Sequence, residues 1–261
     1  MAKPQVVDWY DYPQYFDLAF ASETADEIAF LTAAFEKYAT RPVGRVVEAA
    51  CGSGRLIEAL ARRKFETYGF DANERMLEFT AARLRRKKLS AKLWQGDMAS
   101  FKTPKPVDAV VCTFNSFRHL LTESEAKGFL QSAANALRPG GLLILGLHLL
   151  PDDASDESCE RWTALSGKTR LTATLRVLST DRPKRLETLR LSLLVRKPSG
   201  ELRIRSDFTL RRYNAKQFQK LLSSEPRLEL CDTFDFWYEL DSPLALDDEM
   251  SDTVVVLRKR S

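Results

Sequence analysis

Histidine is nearly absent from this chain: His119 and His148 are the two in 261 residues. Proton transfer that needs an imidazole near neutral pH is therefore confined to those positions. Cysteine is scarce and scattered. Cys51, Cys112, Cys159 and Cys231 form no C-x-x-C pair, so neither a disulfide framework nor a zinc site is indicated, and no metal is expected. Long apolar runs are missing too. The longest, GLLILGLHLL, is interrupted by His148, so no membrane partner is expected. The opening MAKPQVVDWYDY lacks the apolar core of a signal peptide. There is no strong charge excess either: 40 basic against 36 acidic side chains leave +4, too mild to argue for nucleic acid. The setting these absences predict is soluble, reducing and cytoplasmic.

What is present is enough apolar material for a core: 44% of residues are hydrophobic, and the length suits one α/β domain with an insertion, or two small domains. In ETADEIAFLTAAFEKYA, Ile28, Leu31, Phe35 and Tyr38 recur at helical spacing. After Arg41-Pro42, short apolar runs alternate with helical patterns: GRVVEA, RLIEALARR, ETYGFD, a helix from about Asn73 to Lys88, AKLWQGD and VDAVVCTF. TESEAKGFLQSAANAL comes next, with Thr122 and Glu125 in a capping-box pattern; RPGG should end that helix and LLILGL form the next strand. Such alternation predicts a doubly wound, mostly parallel sheet with helices on both faces.

From about residue 151 the grammar changes. PDDASDESCE reads as an acidic loop. Three segments then alternate with period two, carrying Leu171 to Val177, Leu189 to Val195, and Leu202 to Leu210. They predict an antiparallel meander with one buried face. Asn214 is a good N-cap for NAKQFQKLLSS, and RLELCDTF and DTVVVLRKR read as two last strands, for seven in the main sheet. Residues 1–150 and 213–261 are thus expected to form the core, and 151–212 a small antiparallel β insertion.

The first strand runs into Val46-Val47-Glu48-Ala49-Ala50-Cys51-Gly52-Ser53-Gly54-Arg55. Small residues let a strand turn sharply into a helix while backbone N–H groups approach a ligand. Dinucleotide enzymes use G-x-G-x-x-G/A here. That frame puts Ile57 in the third place if started at Gly52, and Arg55 if started at Ala50, so a nicotinamide or flavin site fits poorly. Asp71 ends the second strand about 20 residues on, where a carboxylate can accept both ribose hydroxyls of an adenosine. Asp97 ends the third strand in QGDM and can accept from an adenine amino group, with Met98 beside it; FNSF, holding Phe114 and Asn115, ends the fourth.

Together, residues 43–147 resemble the catalytic core of class I S-adenosylmethionine-dependent methyltransferases. VVEAACGSGRL is similar to that family's nucleotide-binding turn, GFDANERML to its ribose-binding segment, WQGDM to its adenine-binding segment, and LRPGGLLIL to the helix–turn–strand after the active site. The departure is Ala50, where the family often has glycine. The resemblance implies a Rossmann-like fold with an antiparallel last strand and S-adenosylmethionine as cofactor. The implied cofactor residues are Tyr15, Glu48, Ala50, Gly52, Gly54, Asp71, Ala72, Met76, Asp97, Met98 and Phe114. YDYPQYFDLAFASET further resembles the entry segment of small-molecule methyltransferases, and the insertion is similar to the lid of glycine-type and amino-sugar N-methyltransferases.

The resemblance implies transfer to a small-molecule acceptor, an amine nitrogen foremost, by in-line displacement with positioning as the main catalytic effect. His119, Asn115 and His148 are the candidates for acid–base or positioning work, and Tyr10, Tyr12, Trp162, Arg212 and Tyr213 for acceptor contacts. The basic run RLRRKK at 83–88 reads as a solvated cluster favoured by a helix C-terminus. A nucleic-acid acceptor is not expected, because FNSF lacks an Asn/Asp-Pro-Pro-aromatic tetrapeptide. A silent donor-binding module and a homodimer are left open by the sequence.

Overall fold

The computed structural model of the chain describes residues 4–151 and 153–260; Asp152 of the acidic segment lies outside them. The main sheet is built from β2 (Arg45–Ala49), β3 (Glu66–Asp71), β4 (Lys92–Gln95), β5 (Val107–Cys112), β6 (Leu137–His148), β11 (Leu228–Phe234) and β12 (Asp252–Lys259). Their order is β11-β12-β6-β5-β2-β3-β4. Pairs from β4 to β6 are parallel, while β12 runs antiparallel to both β6 and β11.

Alternation along the buried strands assigns side chains to two faces. Val46, Ala109, Val111 and Ile144 pack with α2 (Thr24–Tyr38) and α3 (Arg55–Arg62). Val47, Val110, Leu143 and Leu145 pack with α5 (Glu123–Ala136) and α6 (Ala215–Leu222). The sheet is thus doubly wound. Thr122 and Glu125 close the reciprocal capping box at the start of α5, and Asn214 with Gln217 does the same for α6. The helix α4 (Glu74–Lys87) starts at the cap Asn73. Among the described residues no helix is long and apolar enough to cross a membrane.

Two details differ from the expectation. RPGG does not separate helix from strand: α5 stops at Ala136 and β6 already runs from Leu137, with a register shift against β5 where Gly140 takes φ +78°. The second sheet has five strands. The expected meander is β8 (Thr169–Asp181), β9 (Leu186–Lys197) and β10 (Gly200–Arg211); β7 (Cys159–Ser166) and β1 (Gln5–Val6) are additional. Their order is β1-β10-β9-β8-β7. β7 is an exposed edge strand, CERWTALS, with no buried alternation to betray it. β1 is two residues long and pairs parallel with β10 across the whole chain.

The inner face of this sheet, with Leu171, Ala173, Leu191, Leu193, Val195 and Ile204, is buried largely against Trp9, Tyr15 and Ala19. Tyr15 and Ala19 lie in α1 (Pro13–Phe20). The N-terminal segment therefore fills the space between the two sheets.

Candidate active site

The turn after β2 places Ala50 (φ +52°), Gly52 (+51°) and Gly54 (+73°) in the left-handed region. For Ala50 that conformation costs roughly 1–2 kcal/mol, so neighbouring groups must hold it. Cys51 N–H donates to Phe70 O at 2.9 Å, and Thr80 Oγ1 donates to Gly52 O at 2.8 Å. Asp71 grips the turn directly: Oδ2 accepts from Gly52 N–H and Oδ1 from Asn73 N–H, both at 2.8 Å. Burial raises the Asp71 carboxyl above the usual carboxylate range, with these N–H groups acting the other way.

Behind the turn Glu48 is buried, and burial pushes its carboxyl well up, with Arg55 opposing. Glu48 Oε2 has no hydrogen-bond partner among the described residues. Arg55 pairs with the fully buried Glu27 and lies 4.8 Å over the Phe114 ring. Arg83 is not a merely solvated member of its basic run. It binds Asp17 at 2.6 and 2.8 Å, Ser53 O at 2.9 Å and Glu58 at 2.9 Å, tying α4 to α1 and to the glycine turn.

One cleft of about 2040 Å³ opens at the carboxyl ends of the parallel strands and runs under the second sheet. Of the residues singled out in the sequence, Ala50, Gly52, Asp71, Ala72, Met76, Asp97, Met98 and Phe114 line it on the glycine-turn side. Tyr10, Asn115, His119, His148 and Trp162 line it elsewhere. Six are not on its wall. Glu48 and Gly54 sit behind the turn. Tyr15 is buried under the second sheet, its hydroxyl taking a bond from Lys197 Nζ at 2.7 Å, and Tyr12 stacks on it. Tyr213 is fully buried beside Phe117 and Phe218. The Arg212 guanidinium turns to Glu187 and Asp156.

Phe114 and Asn115 are consecutive non-glycine residues at positive φ, +63° and +68°. Asn115 N–H donates to Gly146 O at 3.1 Å, and its Oδ1 accepts from His148 N–H at 3.0 Å. This strained corner turns the end of β5 into the cleft wall. Phe114 meets Phe20 edge-on at 4.5 Å between centroids, and Phe20 lies 5.8 Å from Trp162, whose indole N–H donates to Ala19 O. The facing wall is therefore largely aromatic, and much of it comes from α1 and the residues before it.

His119 Nε2 and the Tyr10 hydroxyl share a 2.8 Å hydrogen bond. Burial, then Arg118 nearby, push His119 down to about 4, while burial raises the Tyr10 phenol. Both are neutral at pH 7. A histidine depressed in the folded state stabilises the fold above its unfolded value near 6.5 and loses that contribution as pH falls through about 4. The shift corresponds to about 3 kcal/mol at most. We expect the stability gap between wild type and His119→Asn to shrink by about 2–3 kcal/mol from pH 7 to pH 4. Urea midpoints at the two pH values test it; a gap independent of pH refutes the assignment.

Residues missed by sequence reading include Phe16, Phe20, Phe208, Arg118, Glu187 and Asp252, all on the cleft wall. Phe16 and Phe20 recur at helical spacing in the entry segment and could have been read from it. Phe208, Glu187 and Asp252 are brought in by strand pairing, and Arg118 by the short helix that follows β5.

Residues 46–141 match a family model described as a methyltransferase domain. Similar proteins include the dTDP-3-amino-3,4,6-trideoxy-alpha-D-glucopyranose N,N-dimethyltransferase of Streptomyces venezuelae, 28% identical over 56% of this chain and 61% of that protein. The glycine N-methyltransferase of Mus musculus is 33% identical over 48% of this chain and 46% of its own. The chain thus spans about half to three-fifths of the length of these curated relatives. Among solved structures, Streptomyces venezuelae DesVI superposes with a TM-score of 0.78 at 18% identity, over 98% of this chain and 99% of that one. CalS10, an amino pentose methyltransferase from Micromonospora echinaspora, gives 0.72 at 19% identity over 99% and 100%. At those identities the likeness is one of fold.

Proposed function

We propose that the chain, whose residues 46–141 match a methyltransferase-domain family model, is a class I S-adenosylmethionine-dependent methyltransferase that methylates an amine nitrogen of a small-molecule acceptor held in the aromatic-walled cleft. The observation that carries the reading is the shared cleft. One wall is the glycine turn with Asp71 and Asp97; the other is aromatic, with two imidazoles set into it. The names of the relatives, N,N-dimethyltransferases of dTDP-linked amino sugars and glycine N-methyltransferases, support an amine.

The residues fit the donor. Ala50 and Gly52 bring backbone to the cleft with little side-chain bulk. Behind the turn, Glu48 keeps a buried Oε2 with no partner among the described residues. Asp71, bound to the N–H groups of Gly52 and Asn73, keeps lone pairs for a hydroxyl. Ala50, Gly52, Asp71, Ala72, Met76, Asp97, Met98 and Phe114 would hold it. The donor supplies a methyl group already activated by positive charge on sulfur. The chain's task is alignment and exclusion of water. Phe114, Phe20 and Trp162 would wall the reacting centre, and Tyr10 with His119 would position the acceptor as a neutral pair. Residues 151–212 would act as an insertion roofing the acceptor side, with the core formed by 1–150 and 213–261.

Calorimetry with S-adenosylmethionine and its demethylated product, and transfer of labelled methyl to a panel of amino-sugar nucleotides, amino acids and alcohols, test the proposal. Asp71→Ala should weaken donor binding by about 1–3 kcal/mol. Folded protein that binds neither compound, or that transfers to alcohols and not to amines, overturns it.

A further inference from the structure

We propose that His148 and Asp252 form an oriented dyad in the cleft, with His148 Nε2 as the atom that takes the proton released by the acceptor amine. The inference rests on the amine reading and deepens it.

His148 ends β6 and Asp252 begins β12, and the two are direct partners on the antiparallel ladder. Their side chains meet at 2.7 Å, Nδ1 to Oδ1. A carboxylate accepts and does not donate, so Nδ1 carries the hydrogen and the lone pair is left on Nε2. Three further restraints fix the ring. Its backbone N–H is held by Asn115 Oδ1, Phe236 meets the imidazole edge-on at 5.2 Å, and the strand pairing sets its side. His148 and Asp252 both line the cleft. Their side chains keep 42% and 48% of their exposure, which gives a route for the proton to water.

The other imidazole is unsuited to the task. His119 Nε2 is engaged by Tyr10, no carboxylate among the described residues orients its ring, and it is mostly buried. Most carboxylates of the cleft wall are also committed. Asp71 holds the glycine turn, Asp97 accepts from Ala99 N–H, Glu187 pairs with Arg118 and Arg212, and Glu125 caps α5. The groups facing His148 are Asp252 from β12, the neutral Asn115 from the β5 corner and the neutral Phe236 from the β11–β12 segment; burial raises the Tyr238 phenol on that segment, so it too is neutral.

The chemistry balances. The nitrogen lone pair forms the N–C bond while the C–S pair departs with sulfur as a neutral thioether. The alkylated nitrogen then carries one proton too many, and that proton passes to His148 Nε2 and on to solvent. The same transfer frees the lone pair of an acceptor that arrives as an ammonium, and it recurs before a second methylation.

With only two histidines, imidazole nitrogen NMR of the unliganded wild type resolves the dyad without any turnover. We expect the His148 ring, identified by its loss in His148→Gln, to be the Nδ1–H tautomer. Asp252→Ala should abolish that tautomer preference, and Asp252→Asn, which keeps an acceptor oxygen, should restore it. His148→Gln should lower the single-turnover rate about 100-fold, at the lower end of general-base effects. The rise of rate with pH should vanish, while affinity for the demethylated donor stays within twofold and shows that the variant is folded. Asp252→Ala should lose about tenfold in rate with little change in acceptor KM, and Asp252→Asn should recover most of it. An Nε2–H tautomer for His148 in the wild type overturns the proposal. So does transfer by His148→Gln at wild-type rate and pH profile, which leaves the amine reading intact. Absence of transfer to every amine, with donor bound, overturns both.

Discussion

Glu187→Ala should lower the stability of the protein by about 3–5 kcal/mol, the scale for removing one partner from a buried charge cluster. Glu187 lies in β9 and is buried, as are Arg118 and Arg212. Its Oε1 takes a bond from Arg118, and Oε2 lies 3.4 Å from Arg212. Arg118 also donates to Arg211 O at 2.7 Å, and burial with Arg212 nearby lowers its pKa. Without the carboxylate two guanidinium groups face each other where the second sheet meets the β5–α5 connection. Asp207→Ala is the control. Asp207 pairs with Arg190 at 2.6 Å on the outer, solvated face, where water screens such pairs and they contribute little. Urea unfolding compares them; equal losses for the two variants sink the argument.

Gly54→Ala is expected to destabilise by about 3–4 kcal/mol, from two separable causes. The residue sits at φ +73°, which costs an L residue roughly 1–2 kcal/mol. A Cβ there would also stand 2.3 Å from Thr80 Cγ2 and 2.7 Å from Thr80 Oγ1, inside a fully buried contact between α3 and α4. Overpacking of that kind costs about 1–3 kcal/mol. Thr80→Ala removes the two closest of the three clashing atoms, leaving Thr80 Cβ at 2.9 Å, together with the bond to Gly52 O, so the double variant should be more stable than the sum of the singles by about 1 kcal/mol or more. Additive losses would falsify the steric account. They would leave the backbone term alone to explain the glycine.

The main sheet was legible because local signals agreed. Apolar runs, the glycine turn, the Thr122–Glu125 box and the Asn214 cap each act over a few residues, and tertiary pairing overruled them at RPGG, which lies inside β6. The second sheet was legible where one face is buried, as at Leu171 and Leu191. It was illegible in β7, an edge strand whose side chains mostly face water. β1 was illegible because two residues carry no period and their pairing with β10 is a contact across nearly 200 positions.

The candidate site divides the same way. Ala50, Gly52, Asp71 and Asp97 sit at strand ends, and strand ends can be counted along a chain, so their gathering at one rim follows from βα alternation. The aromatic wall and the two histidine pairs depend on how distant segments dock. Tyr10 reaches His119 because the N-terminal segment fills the space under the second sheet. His148 reaches Asp252 because β12 inserts antiparallel beside β6 in that register. Spacing in the sequence therefore determined which residues share the rim. Tertiary docking decided which nitrogen of each imidazole is occupied, because a hydrogen bond depends on positions to a fraction of an ångström that no local pattern encodes.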